Sequence, residues 1–131
     1  MNSISLIVPV TVKAKLTEKL RAYLVDDAEK VANQMDLEIK QVNIDRQREL
    51  NAHPEQGEQI VRFFGAEIQK RQQRRDEAIE RKEYVEKLQL GAEIVQGTLS
   101  HEVNLKVGDN FKEMMNVEIL LEHDKIIAIR G

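Results

Sequence analysis

Residues 51–57 read NAHPEQG, and the reading of this segment decides the fold. Upstream of it, Leu20, Leu24, Ala28, Val31, Met35, Ile39 and Val42 recur every three or four residues, the spacing of one helix face. Downstream, Ile60, Val61, Phe64 and Ile68, then Ala78, Ile79, Val85 and Leu88, do the same. Pro54 disfavours helical backbone at His53 but suits the first turn of a new helix. The segment therefore reads as a break between two helices, and short connections between long helices make antiparallel neighbours. A hairpin over residues 16–90 is expected, turning near 51–57 and setting position i against about 107 − i. The rival is one kinked helix over 17–90, whose two ends could meet only through a partner chain. Either arm would be roughly 50 Å long at 1.5 Å per residue.

Thr17 is placed to cap the first helix. The mean spacing of the first stripe is close to eleven residues in three turns, which predicts a nearly straight or slightly right-handed seam. Gly91 is expected to end the second helix as a C′ residue.

Outside the arms the period changes to two. Ile4, Leu6, Val8, Val10 and Val12 share one face of a strand, and Pro9 within it suggests an edge position or a bulge. Residues 91–131 hold three or four short strands, around 93–96, 98–107, 117–122 and 125–130. In the longest, Val103, Leu105 and Val107 are expected to face inward. Gly108-Asp109 makes a turn, Asn110 and Glu113 form a capping pair for one helical turn, and His123-Asp124-Lys125 joins two strands. The fold class is α+β. A long antiparallel, coiled-coil-like helical hairpin (16–90) accompanies a small antiparallel β-sheet or barrel, built from 91–131 and completed by the N-terminal strand in 1–15.

Composition narrows the function classes. A third of the residues are charged but the net charge is only −3, so no global positive field attracts nucleic acid or anionic membrane. The absence of Cys removes thiolate catalysis and thiolate metal sites and fits a reducing cytosol. His53, His101 and His123 lie far apart, with no metal-ligand spacing. The first fifteen residues lack the basic start and continuous apolar run of a signal peptide, and no stretch is apolar enough for a membrane span. A soluble, cytoplasmic protein is expected.

The segment IQKRQQRRDEAIERK (68–82) carries the one candidate site. Lys70, Arg71, Arg74 and Arg75 could track phosphates, and each contact would add to the salt dependence of binding. Against this, residues 54–90 hold eight acidic and eight basic side chains, and no aromatic residue is interleaved with the cluster to stack bases. Acid-before-base pairs four residues apart, such as Asp26–Lys30, Asp36–Lys40, Glu67–Arg71 and Glu77–Arg81, fit a solvated helix surface. The hairpin also sets Lys70 and Arg71 near Asp36 and Glu38, with Gln72 and Arg75 opposite Met35 and Ala32. Ser100-His101-Glu102 spells a triad, but strand neighbours alternate faces and cannot converge. No catalytic, cofactor-binding or metal residues are assigned, and no cofactor is expected.

Several motifs resemble the YlqD family of small bacterial proteins. They are the opening T-V-K (Thr11–Lys13) and L-T-E-K (Leu16–Lys19), then F-x-x-E-I-x-K-R (Phe64–Arg71) and L-x-L-G-x-E-I (Leu88–Ile94). V-x-L-K-V-G-D (Val103–Asp109) and a closing pair of strands ending Ile129-Arg130 complete the resemblance, which spans nearly the whole chain. Where such proteins carry an Asp-Gly hairpin turn, this chain has His123-Asp124-Lys125, a departure expected to alter turn type. The resemblance implies no known activity and so no catalytic residues, but it makes Lys70-Arg71 part of a family pattern.

The function expected first is a non-enzymatic interaction or scaffold protein, a homo-oligomer with an unidentified protein partner. A nucleic-acid- or ribosome-associated factor using Lys70, Arg71, Arg74 and Arg75 comes second. An enzyme comes last.

Overall fold

The computed structural model describes residues 1–131. The elements are β1 (Ser3–Lys15), α1 (Glu18–Ala52), a 3-10 turn (Pro54–Gln56), α2 (Gly57–Lys87), β2 (Glu93–Lys106), α3 (Phe111–Met115), β3 (Glu118–Glu122) and β4 (Lys125–Arg130). They form two compact units, one of Met1–Leu20 with Gln89–Gly131 and one of Arg21–Leu88. The α+β class is as the periodicities indicate.

In the helical unit the break at 51–57 is a turn and the arms run antiparallel. Four cross-arm contacts establish this: Arg71 Nε to Glu38 Oε1 at 3.2 Å, Arg75 to Asp36 at 3.0 Å, Lys82 to Glu29 at 2.9 Å, and Arg21 to the carbonyl of Leu88. The partners' numbers add to about 110 rather than the expected 107, because α1 stays helical through Ala52 and the turn centres on Glu55. The Leu88 carbonyl belongs to the unsatisfied last turn of α2, so the Arg21 guanidinium caps that helix end. α2 stops at Lys87 with Leu88 extended, so Gly91 is not its C′ residue. Gly91 lies in the following turn at φ +89°, where its N–H donates to the Leu16 carbonyl at 2.8 Å.

The buried positions of α1 are Ala28, Met35 and Val42, a strict seven-residue interval, and those of α2 include Ala78 and Val85 at the same interval. This corrects the eleven-residue reading, which counted Leu20 and Ile39 from the flanks of the stripe along with its centre. One step of seven before Ala78 stands Arg71, and one before that Phe64.

The sheet unit holds strands in the order β2-β1-β3-β4. β1–β2 and β3–β4 are antiparallel, whereas β1–β3 is parallel from Thr11↔Glu118 to Ala14↔Leu121. The sheet is therefore mixed and open rather than wholly antiparallel, and no ladder joins β2 to β4 into a barrel. It is nonetheless strongly curled. Arg130 of β4 reaches Glu93 of β2 at 2.5 Å, although three strand spacings amount to about 14 Å in a flat sheet. Val8, Val10, Ala14 and Leu16 are the buried centre of this unit, with α3 against β1 and Leu120 buried on β3.

The two strands expected at 93–96 and 98–107 are one strand with a bulge. Val12 pairs with Gly97 and Lys13 with Val95, leaving Gln96 as the extra residue. Val103 and Leu105 are half-buried, but Val107 is exposed because it lies beyond the end of β2. Pro9 occupies an interior strand, yet its position is locally an edge. The Val107 N–H donates to the Asn2 carbonyl at 3.1 Å, which fixes the ladder's phase, so even-numbered residues of β1 bond to β2 over this stretch and odd-numbered ones face away. Pro9 therefore lacks an N–H on the side where β3 pairing has not begun, since that starts at Thr11.

The capping and turn signals hold. Thr17 Oγ1 accepts from Leu20 N–H at 3.1 Å, and Asn110 Oδ1 accepts from Glu113 N–H at 3.2 Å. His123 and Asp124 form the two-residue loop between β3 and β4 with φ of +51° and +64°. Positive φ at both central positions is the type I′ turn that Asp-Gly favours, so the departure in sequence leaves turn type intact and changes backbone strain instead.

Candidate functional site

The basic segment lies wholly within α2, and the helical repeat divides its four cations. Arg71 and Arg75 are four apart on the face toward α1 and are only 26% and 30% exposed. Arg71 is held three ways: Nη1 donates to Glu67 Oε2 and to the Glu67 carbonyl, both at 2.9 Å, while Nε donates to Glu38. Arg75 is shared between Asp36 across the hairpin and its neighbour Asp76 at 3.3 Å. The bond to Glu67 holds the Arg71 guanidinium above its ordinary range, and the same bond, helped by the Lys70 charge, holds the Glu67 carboxyl below its own. The bond to Asp36 likewise raises Arg75.

Lys70 points to solvent at 74% exposure and pairs with Glu67 at 3.4 Å rather than with helix α1. Arg74 is exposed and makes no ion pair. The four residues are therefore not brought together on one surface. Two lock the arms to each other, and two face water. Gln72, expected opposite Met35, is exposed and lines a shallow polar depression of α2 with Gln69, Gln73, Asp76, Glu77 and Glu80.

Arg71 meets Glu38 and Glu67 as the helical spacing predicts, whereas Lys70 lies one residue off the seam. The helical spacing alone does not show the Lys82–Glu29 pair or the Arg21 cap, which a pairing sum of about 110 identifies directly. Bonding to Glu29 raises Lys82. Of the acid-before-base pairs, Asp26–Lys30 forms at 3.0 Å and Glu67–Arg71 forms, whereas Asp36 turns away from Lys40 to meet Arg75.

The sheet unit has its own ion pairs. Lys13 meets Glu118 at 2.8 Å across the parallel pair, and Arg130 spans Glu93 and Glu118. The Lys13 bond holds Glu118 below the usual carboxylate range. Ser100 and Glu102 alternate with His101 along β2, so the three do not converge. No group of three or more His, Asp or Glu side chains stands close enough to hold a metal ion. No helix is long and apolar enough to cross a membrane.

The second group of notable residues is apolar and exposed. On the arms these are Leu37, Ile44, Val61 and Phe63, with Phe63 edge-on to Phe64 at 5.1 Å between ring centroids. On the sheet they are Ile4 and Ile7 of β1, Val95 and Leu99 of β2, and Ile126, Ile127 and Ile129 of β4.

The sequence matches the family model described as YlqD protein over residues 4–130. The chain belongs to the YlqD family. A comparison with curated proteins finds no match. Among solved structures, this YlqD chain is similar to a crystal structure of a protein of unknown function from Synechococcus sp. WH 8102. The two share 19% identity with a TM-score of 0.91, over 98% of this chain and 95% of that one. At that identity the likeness carries the fold: a YlqD chain and a distant neighbour share the architecture end to end.

Proposed function

We propose that the protein is a cytoplasmic, non-enzymatic interaction or scaffold protein. It associates with itself and with a protein partner through its coiled-coil-like helical arms and its sheet edges. The observation that supports this reading is the exposure of large apolar side chains in both units: Leu37, Ile44, Val61 and Phe63 on the helices, and Leu99, Ile126 and Ile129 on the sheet. Isolated exposed apolar residues are ordinary, but Leu37 and Ile44 lie seven residues apart on one face of α1, and an apolar stripe on an otherwise highly charged helix supports a contact surface. The engagement of Arg71 and Arg75 in intramolecular pairs supports it further, since two of the four cations available to phosphate are already neutralised.

The test measures mass and nucleic-acid content together. The protein, purified at low salt with and without nuclease, should run above its 15.1 kDa monomer mass in both preparations. Arg74→Glu should leave that mass and the helix content unchanged. Co-purifying nucleic acid that disappears with Arg74→Glu or Lys70→Glu would overturn the reading in favour of a nucleic-acid-associated factor.

A further inference from the structure

β2 and β4 are the two edges of the sheet, and they differ in kind. β4 is six residues long and interrupted by a bulge at Ile127, since Leu120 pairs with Ala128 while Leu121 pairs with Ile126. Lys125 and Arg130 bound it. Shortness, a bulge and flanking cations are the devices that keep an edge from pairing. β2 runs without interruption from Gly97 to Lys106, and its only bulge lies at the opposite end.

The ladder's phase shows which groups of β2 are free. Val107, Leu105, Val103, His101 and Leu99 turn their N–H and C=O toward β1, as the bond from Val107 to Asn2 requires. Thr98, Ser100, Glu102, Asn104 and Lys106 turn theirs outward. Lys106 is already closed off, because its N–H donates to Asp109 Oδ2 at 2.8 Å and its carbonyl accepts from Asp109 N–H at 3.1 Å. Four consecutive outward residues remain, all exposed.

We propose that this free edge pairs with the same edge of a second copy, antiparallel about a two-fold axis through His101. The proposal rests on the self-association read above and names its surface. In an antiparallel pair, outward residues must meet outward residues. Only one register matches all four with all four: Thr98 with Asn104, and Ser100 with Glu102, each occurring twice. With two bonds per pair this gives about eight hydrogen bonds. Moving the axis to Glu102 would set two carboxylates directly opposite and lose a pair, and moving it to Ser100 also loses one. On the other face the chosen register puts Leu99, 59% exposed in the single chain, opposite Val103 of the copy. The contact is isologous and closes on itself, making one eight-stranded sheet from two four-stranded ones.

The chain has no cysteine, so single substitutions report the register directly. His101 meets its own copy in a non-hydrogen-bonded pair, with Cα atoms about 4.5 Å apart, within the disulfide range of roughly 4.4–6.8 Å. His101→Cys should cross-link into a covalent dimer under mild oxidation. Asn104→Cys, about 20 Å from its copy at 3.4 Å per residue, should not. Ser100→Pro removes an outward N–H without touching the bonds to β1, and should reduce the wild-type dimer to monomer in sedimentation while circular dichroism stays the same. Should Ser100→Pro fail to fold, His101→Lys, an exposed substitution that sets two ammonium groups opposite one another, should do likewise. Wild type that self-associates, with no His101→Cys cross-link and no response to either variant, overturns the edge pairing and leaves self-association to the helices. Wild type that is monomeric up to millimolar concentration overturns both. Cross-linking of Asn104→Cys as fast as His101→Cys overturns the register.

Discussion

Met35 and Leu37 are two residues apart on α1 and differ in one respect that the hairpin creates: Met35 is 4% exposed and Leu37 is 60% exposed. Truncating each to Ala removes side chains of similar size and changes intrinsic helix preference by only a few tenths of a kcal/mol. In the hairpin, Met35→Ala empties a seam position flanked at seven-residue steps by Ala28 and Val42, and should cost about 2–4 kcal/mol. Leu37→Ala removes mostly solvated surface and should stay within about 0.5 kcal/mol. Urea unfolding followed by the helical dichroism signal reads both. With a slope of roughly 2 kcal/mol per molar, Met35→Ala should lower the midpoint by about 1–2 M and Leu37→Ala by no more than about 0.3 M. In a single extended helix both residues would be exposed in the monomer and the two variants would match. In a helix completed by another chain, the Met35 loss would appear only as protein concentration rises and the chains associate. Equal costs, or a cost that depends on concentration, would refute the intramolecular seam.

Three other outcomes are expected. Asp124→Gly should raise stability by about 0.5–1 kcal/mol, because Gly adopts the left-handed conformation at φ +64° without the Cβ penalty, and a calorimetric melt of the sheet unit that does not rise would contradict it. Glu67 and Glu118 have folded pKa values below their unfolded ones, so their contribution is present above the unfolded carboxylate value near 4.3 and is lost as pH falls through the folded value. The urea midpoint should therefore drop as pH falls below about 4, and less steeply in a Glu67→Gln, Glu118→Gln double variant. Arg71→Glu should loosen the arms and lower helix content on heating, while Arg74→Glu leaves the melt unchanged, since only Arg71 is bonded to Glu38 and Glu67.

Much of this architecture is legible in the sequence, because its devices are local. Thr17 and Asn110 cap helices through side chains three residues from their partners, and the break at Pro54 follows from proline geometry. What was hidden depends on counting between distant segments. The hairpin register moved by three residues because nothing local says that α1 persists to Ala52, and that shift sets Arg75 against Asp36 rather than Ala32. The parallel β1–β3 pair was equally hidden. Alternation shows which face of a strand is apolar but not its neighbour or direction. The basic segment was singled out by composition, and composition alone does not show which cations already have partners.

The seven-residue burial rhythm with a bonded cation at its middle constrains how these arms can change length in evolution. Adding seven residues to each arm, between Arg71 and the turn on α2 and opposite on α1, would keep Ala28, Met35, Ala78 and Val85 in their seam and Arg71 against Glu38. An insertion of three or four in one arm alone adds about one turn, which nearly keeps the buried face but slides the ion pairs out of register with the other arm. Relatives with longer or shorter hairpins should therefore differ from this chain by matched steps of about one heptad in both arms.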